Sequence, residues 1–277
     1  MNLFNYFFNR SVKKTEQKNI NTTSDFSNFS LITQYLYDKS GITDLDTRGL
    51  ITHKLKILAE DSDIHTTDSF LHKIKNDPAF FQKVLNLIAV NETYFFREIR
   101  ELEWLVRYIK DSTSPLKLLS LPCSSGEEIY TILLMLSEAD VDLSKVDIQG
   151  YDISSDAIKH AKEGLYNKHA LHKISTEMQH KYFVQYSDDL YSISQSLKTH
   201  ADFAQKNIFD LLGEKEKYDI ILSRNMFIYF DDEKRLLATN IIIDLLKTGG
   251  IFIKGHADHI KQHHHLKNLE FGIYQKI

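Results

Sequence analysis

The chain has 277 residues, 42% of them hydrophobic and 26% charged, with a formal net charge of -4. That balance is ordinary for a globular protein of one large or two smaller domains, and it excludes attraction to nucleic acid or anionic lipid through bulk charge. A single cysteine excludes an internal disulfide framework and fits a reducing cytoplasm, and no apolar run approaches the roughly 20 residues that span a bilayer.

The first ten residues set Leu3, Phe4, Phe7 and Phe8 at helical spacing, with Arg10, Lys13 and Lys14 after them rather than before, unlike a secretory signal. They read either as a short docking helix or as a frayed tail, and residues 1–25 are taken as tail and polar linker. From 26 to 90 apolar residues recur on helical faces, as in Phe29, Ile32 and Leu36 or Phe80, Val84 and Ile88, and predict a small domain of four helices. Asp77-Pro78 is a helix start, with proline in the first turn.

Residues 91–105 are read as a linker that contributes to a binding site. Asn91-Glu92-Thr93-Tyr94-Phe95-Phe96-Arg97-Glu98 crowds three aromatics against an arginine and two acids, a mixture suited to a cationic, partly apolar ligand. From 106 to 277 strands and helices alternate. Strands are predicted at 116–121, 146–152, 218–223, 251–254 and 272–276, and helices at 127–138, from the Ser154 cap to Glu163, and at 231–246, the last closed by Lys247-Thr248-Gly249-Gly250. The alternation implies an α/β fold, a mainly parallel sheet covered on both faces. Residues 183–206, with a turn at Ser187-Asp188-Asp189, predict a small antiparallel insert beside that sheet.

The first strand runs into a small-residue turn, Pro122-Cys123-Ser124-Ser125-Gly126, then a helix, and the second strand ends on Asp152. This is a nucleotide-binding arrangement, in which a bare turn admits a ligand to the backbone and an acid binds ribose hydroxyls. The turn lacks the three-glycine dinucleotide pattern and offers Glu127 and Glu128 where a pyrophosphate would sit. Carboxylates there suit a positively charged nucleoside such as S-adenosylmethionine better than NAD. A glutamate in a first helical turn also has an ordinary helix-dipole explanation.

Three blocks together resemble the bacterial chemoreceptor glutamate methyltransferases: residues 91–98, Pro122 to Glu128, and Ser223-Arg224-Asn225-Met226-Phe227-Ile228-Tyr229-Phe230-Asp231. Gly255-His256-Ala257-Asp258 resembles a fourth, late segment of that family. The resemblance runs from about residue 26 to the C-terminus. It implies a Rossmann-like class I methyltransferase sheet with a helical N-terminal domain and a small antiparallel subdomain. It implies a cofactor site of Asn91, Thr93, Arg97, Glu128, Asp152, Asn207, Ile208, Ser223 and Arg224, with Arg97 and Tyr229 flanking the transferring methyl group. It further implies a cytoplasmic monomer recruited to receptor arrays, which uses S-adenosylmethionine to methylate glutamates on receptor cytoplasmic helices and releases S-adenosylhomocysteine. Two other outcomes stay open at this point. One is a regulatory binder of the same cofactor without turnover, and the other is a methyltransferase with a different acceptor. Asn207 has a turn-forming role as its structural alternative, and Tyr229 a core-packing one.

The chain departs from the family pattern in three places. Ile129 stands where the family has proline, and Ala257 and Asp258 replace serine and glutamate, which puts the local hydrogen bonding in question. The arginine-rich helix that helps dock receptors is represented only by Arg48, Lys54 and Lys56 among Glu60, Asp61 and Asp63. A nucleophilic Cys123 is disfavoured because the cysteine sits in the cofactor turn. His263-His264-His265 lacks the spacing of a zinc site and reads as a solvated loop.

Overall fold

The computed structural model describes residues 28–43 and 50–277; the apolar run at 1–10 and Arg48 lie outside them. Four helices come first: α1 (Phe29–Ser40), α2 (Leu50–Asp61), α3 (Thr67–Asn76) and α4 (Pro78–Ile88). Asp77 starts α4 as its residue type predicts, its side chain accepting from the Phe80 N–H at 3.0 Å with Pro78 in the first turn. Ile32, Leu36, Leu55, Phe70, Val84 and Ile88 close into a core of their own. Gly41 ends α1 at φ +73°, and a side chain there would run into the Phe209 ring.

Helix α5 (Ile99–Asp111) follows. It buries Leu102, Leu105, Val106 and Ile109 in the main core, so it runs through the 105/106 boundary at which the sequence reading ends the linker. In the sequence the charged residues of Ile99-Arg100-Glu101-Leu102-Glu103 mask its strongly one-sided apolar stripe. Next come β1 (Leu116–Ser120), α6 (Glu127–Glu138), β2 (Val146–Asp152) and α7 (Ser155–Glu163), with Ser154 capping α7 by accepting from the Ala157 N–H.

A three-stranded antiparallel sheet then forms from β3 (Leu165–Asn167), β4 (Phe183–Gln185) and β5 (Leu190–Ile193), with α8 (Thr176–Tyr182) between β3 and β4. The short helix α9 (Gln195–Lys198) leads to β6 (Ala201–Gln205). The hairpin predicted within 183–206 is present, but β6 is not part of the small sheet. It pairs in parallel with β2 at the edge of the main sheet, where Phe203 is buried. Alternation alone does not reveal which sheet a strand joins.

The remaining elements are β7 (Tyr218–Ser223), α10 (Asp232–Leu245), β8 (Leu246–Lys254), β9 (Leu266–Glu270) and β10 (Ile273–Lys276). Helix α10 passes directly into β8 at Leu246, in extended conformation, so Thr248-Gly249-Gly250 lies within the strand rather than capping the helix. The extra residues are absorbed as a register shift against β7, where Tyr218 faces Leu246 but Ile220 faces Ile251.

The main sheet has the order β6-β2-β1-β7-β8-β10-β9, with β6, β2, β1, β7 and β8 parallel and β10 antiparallel to both its neighbours. Alternate residues of β1 feed opposite cores, Leu118 toward α5 and α6 and Leu119 toward α10. The chain order reverses between β1 and β7, which opens a crevice at the carboxyl ends of these strands. The helical region covers that crevice. Thr43 donates its N–H and its hydroxyl to the Tyr229 carbonyl, Tyr37 to Asp231 at 2.6 Å, and Gln82 to the Ile153 carbonyl. Asn86 accepts from the first N–H of α7 and donates to Ser155 Oγ. Among the described residues, no helix is long and apolar enough to cross a membrane.

Candidate functional site

A cavity of about 230 Å³ occupies this crevice. Strand ends supply its floor: Leu121 to Ser124 after β1, Asp152 and Ile153 at the end of β2, Lys206 to Ile208 after β6, and Arg224 to Met226 with Ile228 to Phe230 after β7, while Ser40 and Ile42 reach in from the helical region. Asn91, Thr93, Tyr94 and Arg97 form one side. Of the residues singled out in the sequence, Asn91, Thr93, Arg97, Glu128, Asp152, Asn207, Ile208, Arg224 and Tyr229 all line it. Ser223 does not. It is fully buried in β7 and turns its hydroxyl toward Met226 Sδ at 3.9 Å, because its position in the strand points away from the crevice.

The aromatic run of the linker divides its labour differently from the sequence reading. Phe95 is fully buried and packs edge-on against Tyr166 and Phe183, and Phe96 packs against the same core. Only Tyr94 of the three faces the cavity. The backbone is left-handed at Phe96 (φ 59°) and Glu98 (φ 49°), conformations costly for residues with side chains, and Arg97 is held between them. Its guanidinium donates to the Glu92 carbonyl at 2.6 Å.

Asp152 is almost wholly buried, and its two oxygens accept from the Ser124 and Ser154 backbone N–H groups at 2.9 and 2.8 Å. Burial pushes its carboxyl up to about 6, and those N–H groups offset only part of the effect. Each oxygen keeps a second lone-pair direction for a hydroxyl donor.

The acids in the turn also behave differently from their sequence reading. Glu127 is buried, its carboxylate accepts from Ser125 Oγ, burial pushes it up to about 7, and it does not line the cavity. Glu128 does line it, but its charge is already matched: Oε1 accepts from Ser120 and Oε2 from Arg224 at 2.7 Å. The two carboxylates of the turn are therefore not free to await a cation: Glu127 is turned inward and Glu128 is ion-paired. Ile129, in place of the family's proline, fills the core beside Gly150.

Arg224 is the hub. Its side chain is 3% exposed, and besides Glu128 it donates to the carbonyls of Arg97 and Glu98 at 2.6 and 3.0 Å. Its Nε, like Ser124 Oγ, is buried with no hydrogen-bond partner among the described residues, and both residues line the cavity. Glu98, in the octapeptide but not assigned a role in the sequence, ties the site together: its carboxylate accepts from the His256 N–H at 3.0 Å and from Asn225 at 3.2 Å. Burial alone would raise its carboxyl, but the His256 N–H and the Arg224 guanidinium hold it below its ordinary range. Asp258 keeps the late segment bonded despite its departure from the family pattern, Oδ2 accepting from the Asn225 and Gly255 N–H groups at 2.6 and 3.1 Å.

Asn207 fills its turn-forming role, accepting from the Phe209 N–H and donating to the Lys39 carbonyl, while also lining the cavity. Tyr229 is half-buried at the cavity wall; burial raises its phenol, and the Arg97 guanidinium pulls in the opposite direction. Cys123 is buried and burial pushes its thiol well above the ordinary value, which leaves it without thiolate character.

The cavity thus offers a buried acid for a sugar diol and apolar walls at Ile153 and Ile208, with two buried donors that lack partners among the described residues, Arg224 Nε and Ser124 Oγ, on residues that line it. These features fit a nucleoside carrying an amino-acid tail. Residues 91–274 match the family described as CheR methyltransferase, SAM binding domain. A chemotaxis protein methyltransferase of Campylobacter jejuni is 31% identical over 233 residues, covering 84% of this chain and 88% of that protein. Chemotaxis protein methyltransferase 2 of Vibrio cholerae is 31% identical over 252 residues, covering 86% of each. The chemotaxis protein methyltransferase of Borreliella burgdorferi is 28% identical over 275 residues, covering 93% and 96%.

Proposed function

Since the chain belongs to the CheR methyltransferase family, whose S-adenosylmethionine-binding domain spans residues 91–274, we propose that it methylates glutamate side chains of chemoreceptor cytoplasmic helices. The observation that carries this reading is the convergence of Arg97, Tyr229, Asp152 and Arg224 on one cavity, within a chain similar along most of its length to chemotaxis protein methyltransferases.

When bound, S-adenosylmethionine supplies a methyl group on a positively charged sulfur; a glutamate oxygen forms the new C–O bond as the C–S bond breaks, which gives a γ-glutamyl methyl ester and S-adenosylhomocysteine. A glutamate with pKa of about 4.3 is already ionised at neutral pH, so the chain needs no general base. Opposite charges neutralise along the path, and water, which solvates both, opposes the step. The residues of the site therefore act by alignment and exclusion of water. Asp152 would hold the ribose hydroxyls, Ile153 and Ile208 would give an apolar wall, and Arg224 and Ser124, which line the cavity, would flank the polar tail. Asn91 and Thr93 flank the same wall, and Asn207 and Glu128 fix its shape. Arg97 would orient the acceptor carboxylate, and Tyr229 would close the opposite side against solvent.

The test is incubation with methyl-labelled cofactor and receptor cytoplasmic fragments. Alkali-labile label on glutamate is the expected result. Label on another residue type, or cofactor binding with no transfer to any receptor of the organism, overturns the reading.

A further inference from the structure

At the cavity edge two cations and a histidine gather on one ring. The Lys173 ammonium lies 4.6 Å from the Tyr94 centroid and the Arg97 guanidinium 5.9 Å from it, and the His172 ring tilts against it at 4.9 Å. Lys173 Nζ also reaches the Tyr94 hydroxyl at 3.5 Å. Tyr94 and Arg97 line the cavity, whereas His172 and Lys173 are exposed.

The loop that presents them is fixed. Its Ala170 carbonyl accepts from the Phe95 N–H at 3.1 Å, Asn167 Oδ1 accepts from the Ala170 N–H, and Ala170 and Leu171 are buried. Lys168, next to them, is paired with Asp189 and stands apart from the group. The acid of the same linker edge, Glu92, is exposed, but what it gives Arg97 is its backbone carbonyl. Val90 and Ile228, which also line the cavity, are 55% and 44% exposed.

A pocket for one carboxylate does not account for a second cation mounted on the same ring. We infer that Tyr94, Lys173 and His172 form a docking platform for an acidic, amphipathic segment of the acceptor protein, which receives a second carboxylate beside the one being methylated. The inference rests on the methyl-transfer reading above. A helical acceptor advances about 5.4 Å per turn, so an acidic residue one turn from the reacting glutamate reaches Lys173 while Arg97 meets the reacting group. The apolar flank of that helix would lie on Val90 and Ile228. A lipid surface would call for a broad basic field, which a chain of net charge -4 does not supply.

Exposed rim charges act mainly on capture of the partner. Steady-state methylation of a receptor cytoplasmic fragment is compared for the wild type, Lys173→Glu and Lys173→Arg over a salt series. Lys173→Glu is expected to raise the KM for the fragment at least fivefold at low salt and to flatten its salt dependence, with kcat and affinity for S-adenosylhomocysteine unchanged; Lys173→Arg should restore the wild-type KM. An active wild type with a Lys173→Glu KM equal to its own overturns the platform alone. A wild type inactive on every fragment overturns the methyl-transfer reading and the platform with it. Weaker sedimentation of Lys173→Glu with anionic vesicles at unchanged KM overturns it in favour of a lipid contact.

Discussion

Replacing Arg224 by methionine tests how the site is held in the absence of any ligand. The substitution keeps the length and apolar stem of the side chain but removes the guanidinium that donates to Glu128, to the Arg97 and Glu98 carbonyls, and to the Glu98 carboxylate at 3.4 Å. Among the described residues Glu128 is then a carboxylate, 13% exposed, with only Ser120 as a donor. Breaking a buried pair from one side costs about 3–5 kcal/mol. At roughly 2–4 °C per kcal/mol for a domain of this size, Tm should fall by about 6–20 °C. Adding Glu128→Gln removes the stranded charge, so the double variant should be more stable than the sum of the two single losses by about 1–3 kcal/mol. Thermal and urea unfolding followed by circular dichroism at fixed pH give all four corners of the cycle. A single-variant loss below about 1 kcal/mol, or additivity within about 0.5 kcal/mol, refutes the assignment of Arg224 as the hub.

Three more outcomes are expected. Arg97→Ala should lower kcat at least a hundredfold and leave Tm within about 2 °C, because the side chain is 28% exposed and its one close bond is to the Glu92 carbonyl; full activity removes Arg97 from the methyl-transfer step. The Asp152 carboxyl, pushed up to about 6, is ionised and ready for sugar hydroxyls only above that pH, so calorimetric affinity for S-adenosylhomocysteine should be constant above pH 7 and fall by up to tenfold per unit below pH 6. Asp152→Asn should bind weakly with a flat profile, and an unchanged pH dependence in that variant would assign the titration elsewhere. Gly150→Ala would place a methyl 2.6 Å from Ile129 Cδ1 and 2.8 Å from Phe203 Cδ1, so a stability loss of about 1–3 kcal/mol is expected from denaturant midpoints.

The sequence specified β1, β2, β7 and their helices closely, because buried parallel strands and capped amphipathic helices leave strong local patterns. The sheet to which β6 belongs was not legible, since pairing is decided by partners distant in the chain. Neither was the continuity of α10 with β8, where two glycines mimic a helix cap but serve a register shift. Asn91, Thr93, Arg97, Glu128, Asp152, Asn207, Ile208, Arg224 and Tyr229, named through the family resemblance, line the cavity and Ser223 does not, whereas Ser40 and Ile42 of the helical region carried no sequence signal. Their electrostatics were not, because the pairing of Glu128 with Arg224 spans 96 positions of chain. Glu98 sat in plain view within the octapeptide, and Asp258 within the late block, but their hydrogen bonds belong to tertiary structure. Lys173 carried no local signal at all, and only the fold sets it on Tyr94.

The cavity draws Ser40 and Ile42 from the helical region and the rest of its wall from the linker and the sheet mouth, and Thr43 bonds to the carbonyl of Tyr229. A molecule seated there works like a rivet through two plates. Its binding free energy also fastens the helices to the sheet, and a hundredfold excess over Kd strengthens that joint by about 2.7 kcal/mol. Departure of that molecule loosens the same joint, so each cycle of binding and release would slacken the contact between helices and sheet.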